Sequence, residues 1–93
     1  MAGEKYPEAK ISLFGSRARG DAKNDSDWDF LILLPASKSG FERHKEIMDA
    51  FYEIELETGE VLAPFIYNKE DWETKYIGTP LYENILNDGI SLQ

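Results

Sequence analysis

The sequence has no cysteine, a single histidine and no long apolar run. Without cysteine, the chain cannot form disulfides, thiolate metal sites or a cysteine nucleophile. Its longest apolar run, residues 30–35, is far too short to cross a bilayer, and its first ten residues, MAGEKYPEAK, lack the apolar stretch of a signal peptide. These absences lead us to expect a cytoplasmic protein without a membrane partner.

Basic residues are also scarce, since 10 lysines and arginines stand against 18 acidic residues, which gives a formal charge of -8. Phosphate backbones are bound by clustered lysine and arginine, so this balance disfavours a broad nucleic-acid-binding face. A small anionic ligand can still bind at one local basic site. With 93 residues, residues 1–93 make a single domain.

Hydrophobic periodicity alternates between strand-like and helix-like stretches, which predicts an α/β domain of the α+β kind, a small mixed sheet with helices packed on it. Strands are predicted at residues 11–14, 29–34, 61–67 and 90–92. Pro64 lacks a backbone N–H and favours an edge position or a bulge for the third strand. Helices are predicted at residues 41–58, 69–76 and 80–88, and a helical turn at 17–20.

The longest predicted helix has recognisable ends. Ser39 and Glu42 have the spacing of a capping box at its start, and Gly59 ends it. Its apolar residues recur at helical spacing, so we expect a buried stripe made of Ile47, Met48, Phe51, Tyr52 and Ile54.

Asp27 and Asp29 stand one residue apart where the second predicted strand begins. Side chains alternate along a strand, so both carboxylates project to one face while Trp28 projects to the other. Alone, the pair fits a solvated strand entrance in an acidic protein. Their mutual repulsion is relieved if a cation lies between them, and Mg²⁺ is commonly held by one or two carboxylates together with substrate phosphates. We therefore consider Asp27 and Asp29 candidate metal ligands.

The segment GSRARG lies just upstream and has features of a phosphate-binding turn. Gly15 permits close approach of a phosphate to the backbone, and Ser16 offers a hydroxyl beside the N–H groups of the turn. Arg17 and Arg19 add positive charge. Each arginine is either a phosphate contact or a surface residue, because side chains two apart in a helical turn point in different directions.

Gly15-Ser16, a ten-residue spacer and Asp27-Trp28-Asp29 in front of an apolar strand together resemble the minimal nucleotidyltransferases of the polymerase-beta-like superfamily. The resemblance implies that superfamily's core fold and nucleotidyl transfer from an Mg-NTP, with ATP as the expected nucleotide, to a hydroxyl acceptor. It also implies roles for particular residues. Gly15 and Ser16 would hold the triphosphate, with Arg17 and Arg19 nearby, and Asp27 and Asp29 would be catalytic through the metal.

In such enzymes a third carboxylate on a neighbouring strand helps to activate the attacking hydroxyl. Val61 and Ala63 occupy the positions where the resemblance would place it. Glu60 is the acidic candidate, although its offset of one residue points it to the opposite sheet face if the strand is regular. The unclear third carboxylate keeps a second hypothesis open.

That second hypothesis is a catalytically weak module that binds a nucleotide or a partner, such as the antitoxin component of a toxin-antitoxin pair. The resemblance covers both alternatives, because minimal nucleotidyltransferases commonly work beside a helical protein partner and some transfer AMP to it. A helical partner is therefore expected either as a binding protein or as the acceptor.

Overall fold

The computed structural model describes residues 8–38 and 40–93. The described elements follow one another as β1 (Lys10–Phe14), α1 (Ser16–Arg19), β2 (Trp28–Leu34), a short 3₁₀ helix (Ala36–Lys38), α2 (Phe41–Thr58), β3 (Leu62–Asn68), α3 (Lys69–Thr74), α4 (Pro80–Asp88) and β4 (Ile90–Ser91). The elements predicted from hydrophobic periodicity are thus confirmed, with shifts of one or two residues at several ends.

The four strands form one mixed sheet in the order β3-β2-β1-β4. β2 is antiparallel to β1 and parallel to β3, while β4 pairs antiparallel with β1. The parallel step from β2 to β3 uses α2 as its crossover, as parallel strands require. β3 lies at an edge of the sheet, which agrees with the position that Pro64 predicts.

Helices cover both faces of the sheet. On one face, α2 packs on a cluster of buried residues, which are Ala9, Ile11, Ile32, Leu34, Ile47 and Phe51. On the other, α3 and α4 cover a second cluster made of Phe14, Leu31, Leu33 and Trp72. Because alternate residues of β2 enter different clusters, odd-numbered side chains of this strand face α3 and α4, and even-numbered ones face α2.

The buried stripe predicted for α2 is only partly correct. Ile47 and Phe51 are buried and Ile54 is half-buried, whereas Met48 and Tyr52 are 48% and 60% exposed. The physical reason is that α2 contacts the sheet along a narrow strip, so apolar residues to one side of that strip reach solvent. Four side chains, which we call the α2 apolar stripe, lie there: Phe41, Met48, Tyr52 and Leu56.

The ends of the helices depend on short local contacts. α2 has Gly40 as its N-cap residue. It ends at Gly59, as predicted, and this glycine adopts a left-handed conformation. Ser39, the first member of the predicted capping box, lies outside the described residues. The Asn68 side chain caps α3, and the Thr79 side chain caps α4. Within residues 8–38 and 40–93, no helix has the length and apolar character needed to cross a membrane.

Candidate functional site

The Gly-Ser turn lies at the end of β1, where Gly15 adopts a positive φ of 78° and begins α1. Its carbonyl accepts from the N–H groups of Ala18 and Arg19, at 3.1 and 3.0 Å, and the Ser16 carbonyl accepts from Gly20. The first N–H groups of a helical turn have no partners within the turn, so those of Ser16 and Arg17 are suited to an anion. The sequence folds this way because only glycine adopts the Gly15 conformation without strain.

Asp29 lies beside this turn, because it pairs with Phe14 across the β1–β2 ladder. A Cβ on Gly15 would collide with the Asp29 carboxylate, so the carboxylate lies against the turn. The pKa of Asp29 is raised above the usual carboxyl value, chiefly because burial disfavours the charged form. Repulsion from Asp27 also raises this pKa, whereas Arg19 lowers it.

Asp27 is exposed in the last residues before β2 and forms no hydrogen bond or ion pair with any described residue. Its negative charge raises the pKa of Asp29, so the two carboxylates interact electrostatically in the fold. In residues 8–38 and 40–93, no group of three or more histidine, cysteine or acidic side chains could hold a metal. Two carboxylates fit Mg²⁺, which takes its remaining ligands from water and phosphate.

The position next to Asp29 on the neighbouring strand is Ala63, which pairs with it in the parallel β2–β3 register. Both side chains point to the same sheet face, toward the edge-to-face contact between Phe14 and Phe65 at 5.4 Å. An alanine methyl group cannot bind a metal or accept a proton. The strand position where the family resemblance expects a third carboxylate is therefore apolar.

Glu60, the acidic candidate for that role, makes contacts on the other side of β2. Its carboxylate accepts from the Trp28 indole N–H at 3.3 Å and lies 3.7 Å from the Arg17 guanidinium. The reason is strand parity, because Glu60 precedes Leu62, the partner of Trp28, by two residues. Among the described residues, Glu60 does not form a metal-binding group with Asp27 and Asp29.

The two arginines of the turn differ in their surroundings. The Arg17 side chain is only 16% exposed and reaches the loop before β2, where it donates to the Ser26 carbonyl at 2.9 Å. Arg19 is 45% exposed and lies on the Asp29 side, and it pairs with Asp88 at 3.0 Å and Asp21 at 3.3 Å. Only Arg19 combines solvent access with an electrostatic effect on Asp29.

Sequence reasoning missed two members of this neighbourhood, Asp88 and Trp28. Asp88 approaches Arg19 from the end of α4, 69 residues away, and no local pattern signals that pairing. Strand alternation predicts that Trp28 projects away from the aspartates, but no local pattern signals its contact with Arg17: it is half-buried beneath the Arg17 guanidinium, which lies 4.5 Å from its ring centroid. Strand parity does predict that Trp28 and Glu60 lie on the same face of the sheet.

The sequence matches the nucleotidyltransferase domain family over residues 2–90, which is almost the whole chain. The chain therefore belongs to the nucleotidyltransferase domain family. This membership confirms the family resemblance carried by the Gly-Ser turn and the paired aspartates. No curated protein matches the sequence.

Among solved structures, the fold is similar to that of a chain in the crystal structure of a toxin-antitoxin with AMP-PNP, with a TM-score of 0.62. The sequences are 19% identical, and the similarity covers 94% of this chain. This chain spans 62% of the length of that chain. At this identity the similarity establishes the fold, which is the small mixed sheet with helices expected from the sequence.

Proposed function

We propose that the protein transfers a nucleotidyl group from an Mg-NTP, with ATP as the expected nucleotide, to a hydroxyl group on an acceptor. The observation that carries this proposal is the contact between the Gly-Ser turn and Asp29. It joins a turn suited to phosphate with a carboxylate suited to a metal, and Asp27 adds a second carboxylate. Membership of the nucleotidyltransferase domain family supports the same reaction.

Asp27 and Asp29 would hold the metal. A bound Mg²⁺ neutralises charge on the triphosphate and on the departing group. Repulsion between the two carboxylates supports this assignment, because a cation removes a cost that the metal-free protein carries. The space that Gly15 leaves open is occupied by the Asp29 carboxylate, so the phosphate would bind at the Ser16 hydroxyl and N–H group at the start of α1.

In the proposed reaction, the acceptor hydroxyl oxygen forms a bond to the α-phosphorus of the nucleotide. The bond from that phosphorus to the oxygen bridging the β-phosphate breaks, pyrophosphate leaves, and the hydroxyl proton passes to solvent or to a base on the acceptor. The protein's part is positioning and charge compensation rather than a covalent intermediate. Arg19, exposed near Asp29, would add positive charge beside the triphosphate.

The reaction is tested by incubating the protein with Mg²⁺ and ATP labelled at the α-phosphate, together with a lysate as the source of acceptor. We expect label on one acceptor and none when the label is on the γ-phosphate. Asp29→Asn should abolish labelling, whereas Glu57→Gln, which changes an exposed residue of α2, should leave it intact. Equal labelling by the Asp29 variant would refute the proposed site.

A second candidate function is a partner-binding module of the antitoxin type, with little transfer activity of its own. Two observations favour it: Ala63 is apolar beside Asp29, and the α2 apolar stripe remains exposed. The fold similarity to a toxin-antitoxin chain is consistent with a protein partner. A helical partner with an apolar face would cover the stripe.

A photo-crosslinking residue at position 52 distinguishes this candidate in cells. We expect a specific crosslinked protein from position 52, in the stripe, and none from position 57, on the acidic side of the same helix. If the crosslinked protein also carries α-phosphate label, the partner is the acceptor and the protein is a transferase. A crosslink without any label would favour the partner-binding module over the transferase.

A further inference from the structure

Arg17 directly follows the Gly-Ser turn, but its side chain extends to the loop before β2. It donates to the carbonyls of Ser26 and Asn24, at 2.9 and 3.4 Å. These two carbonyls belong to the loop that leads into β2. The side chain thus joins α1 to the residues immediately before Asp27.

Two more contacts hold the guanidinium in that place. It lies over the Trp28 ring, 4.5 Å from the centroid, and 3.7 Å from the Glu60 carboxylate. The same Glu60 oxygen accepts from the Trp28 indole N–H, so the three side chains contact one another in a closed set. We call Arg17, Trp28 and Glu60 the arginine clamp.

The arginine clamp contacts the chain on both sides of Asp27. Within the described residues Asp27 forms no hydrogen bond or ion pair, but both of its neighbours along the chain are fixed. Ser26 is held through its carbonyl, and Trp28 through its ring and through its N–H, which donates to the Val61 carbonyl at 2.9 Å. Ser26 and Lys23 also exchange two hydrogen bonds within the loop, so the clamp adds the contacts that tie this loop to α1 and to Glu60 on both sides of Asp27.

From these contacts we infer that Arg17 is a positioning residue, which fixes the Asp27 carboxylate through Ser26 and Trp28, and that Glu60 acts by holding Arg17. The inference rests on the proposed function for the role of Asp27 as a metal ligand. It assigns Glu60 a part in the site without a direct contact to metal or acceptor. Arg17 would have to give up these contacts to reach a phosphate, and its Nε is already enclosed without a hydrogen-bond partner in the described structure.

The first test needs no ligand. Amide hydrogen exchange of Ser26 and Trp28, whose N–H groups donate to the carbonyls of Lys23 and Val61, reports how firmly this segment is held in the metal-free protein. We expect faster exchange in Glu60→Gln and still faster exchange in Arg17→Lys, since lysine cannot both fork between two carbonyls and stack on the indole. Glu57→Gln is the matched control and should exchange like the wild type. Unchanged exchange in both clamp variants would overturn the inference.

The second test uses Mn²⁺ with ATP, followed by the electron paramagnetic resonance signal of free Mn²⁺. We expect Glu60→Gln to weaken Mn²⁺ binding roughly tenfold, as loss of an outer-shell partner commonly does. In an Asp27→Asn background the same substitution should have no further effect, because Glu60 acts only through Asp27. An equal effect in both backgrounds would overturn the inference in favour of a direct role for Glu60.

The two tests separate this inference from the proposed function. A wild-type protein that binds no Mn²⁺ with ATP would refute the proposed function, and the exchange data would still decide whether Arg17 fixes the segment.

Arg17→Ala is a poor first choice because it leaves Glu60 without its cation and removes several contacts at once. Trp28→Phe keeps an aromatic face under Arg17 and removes only the donor to Glu60, so it should resemble Glu60→Gln.

Discussion

The Asp29 carboxylate occupies the space that a Cβ on Gly15 would need. Asp29 lies in β2, and Gly15 directly follows Phe14, the β1 residue that pairs with Asp29. Glycine at this position therefore has two roles, because it adopts a positive φ and leaves room for the carboxylate. The Gly-Ser turn and the strand that carries Asp29 are thereby packed together.

Gly15→Ala should lose stability and nucleotide binding together. Gly20→Ala is the matched control, because Gly20 also has a positive φ but has open space where its Cβ would lie. For Gly20→Ala we expect a loss of about 1 kcal/mol from the left-handed backbone alone. For Gly15→Ala we expect a clearly larger loss, because its φ and ψ lie in a region essentially restricted to glycine and its Cβ would meet the Asp29 carboxylate. Thermal unfolding compares the two. Equal losses would show that the contact with Asp29 is unimportant.

Asp29→Asn should leave the metal-free protein as stable as the wild type or more stable. A carboxyl group whose pKa is higher in the folded chain opposes folding once it is ionised, so at neutral pH Asp29 destabilises the metal-free protein. The advantage of the variant should shrink as the pH falls through the pKa of Asp29, and vanish where folded and unfolded chains are both protonated. Unfolding curves across this pH range measure it, with Asp25→Asn as the control. A large loss of stability would make Asp29 structural.

Ala63→Asp should destabilise the metal-free protein and make its stability depend on Mg²⁺. The new carboxylate would lie beside Asp29 on the same face, where like charges repel until a cation binds. Asn84→Asp, at an exposed position within α4, adds the same charge elsewhere and is the control.

If Ala63→Asp also gains transfer activity, the natural protein lacks only this carboxylate. A variant that is unaffected by Mg²⁺ would contradict the proposed geometry. Robust labelling by the wild type, without a gain in the variant, would refute the binding-module alternative.

Arg19→Gln should weaken ATP binding while the protein remains folded. Its ion pairs with Asp21 and Asp88 are on the surface, where such pairs contribute little to stability. Lys45→Gln, which breaks another surface ion pair, is the control and should change neither property. Titration with Mg-ATP measures the difference. Wild-type affinity in Arg19→Gln would exclude Arg19 from the nucleotide site.

Local signals were sufficient to predict much of this fold. The alternation of apolar residues predicted the sheet, Pro64 predicted the edge strand, and Gly59 predicted the end of α2. Met48 and Tyr52 were wrongly expected to be buried, because helical periodicity does not reveal how wide a strip of α2 contacts the sheet.

The site shows the same division between local and distant information. Strand alternation predicted that Asp27 and Asp29 are coupled, and strand parity already argued against Glu60 as their neighbour. The contact of Arg19 with Asp88 depends on how α4 packs, and the closed set of Arg17, Trp28 and Glu60 depends on the β2–β3 register. Neither relationship is encoded within a short segment of sequence.

The most direct test of the central claim, that Asp27, Asp29 and the Gly-Ser turn bind an Mg-NTP, is calorimetric titration with ATP in the presence and absence of Mg²⁺. We expect binding that requires Mg²⁺ in the wild-type protein and is strongly weakened in both Asp27→Asn and Asp29→Asn. Equal ATP affinity with and without Mg²⁺, unchanged in the two variants, would contradict it.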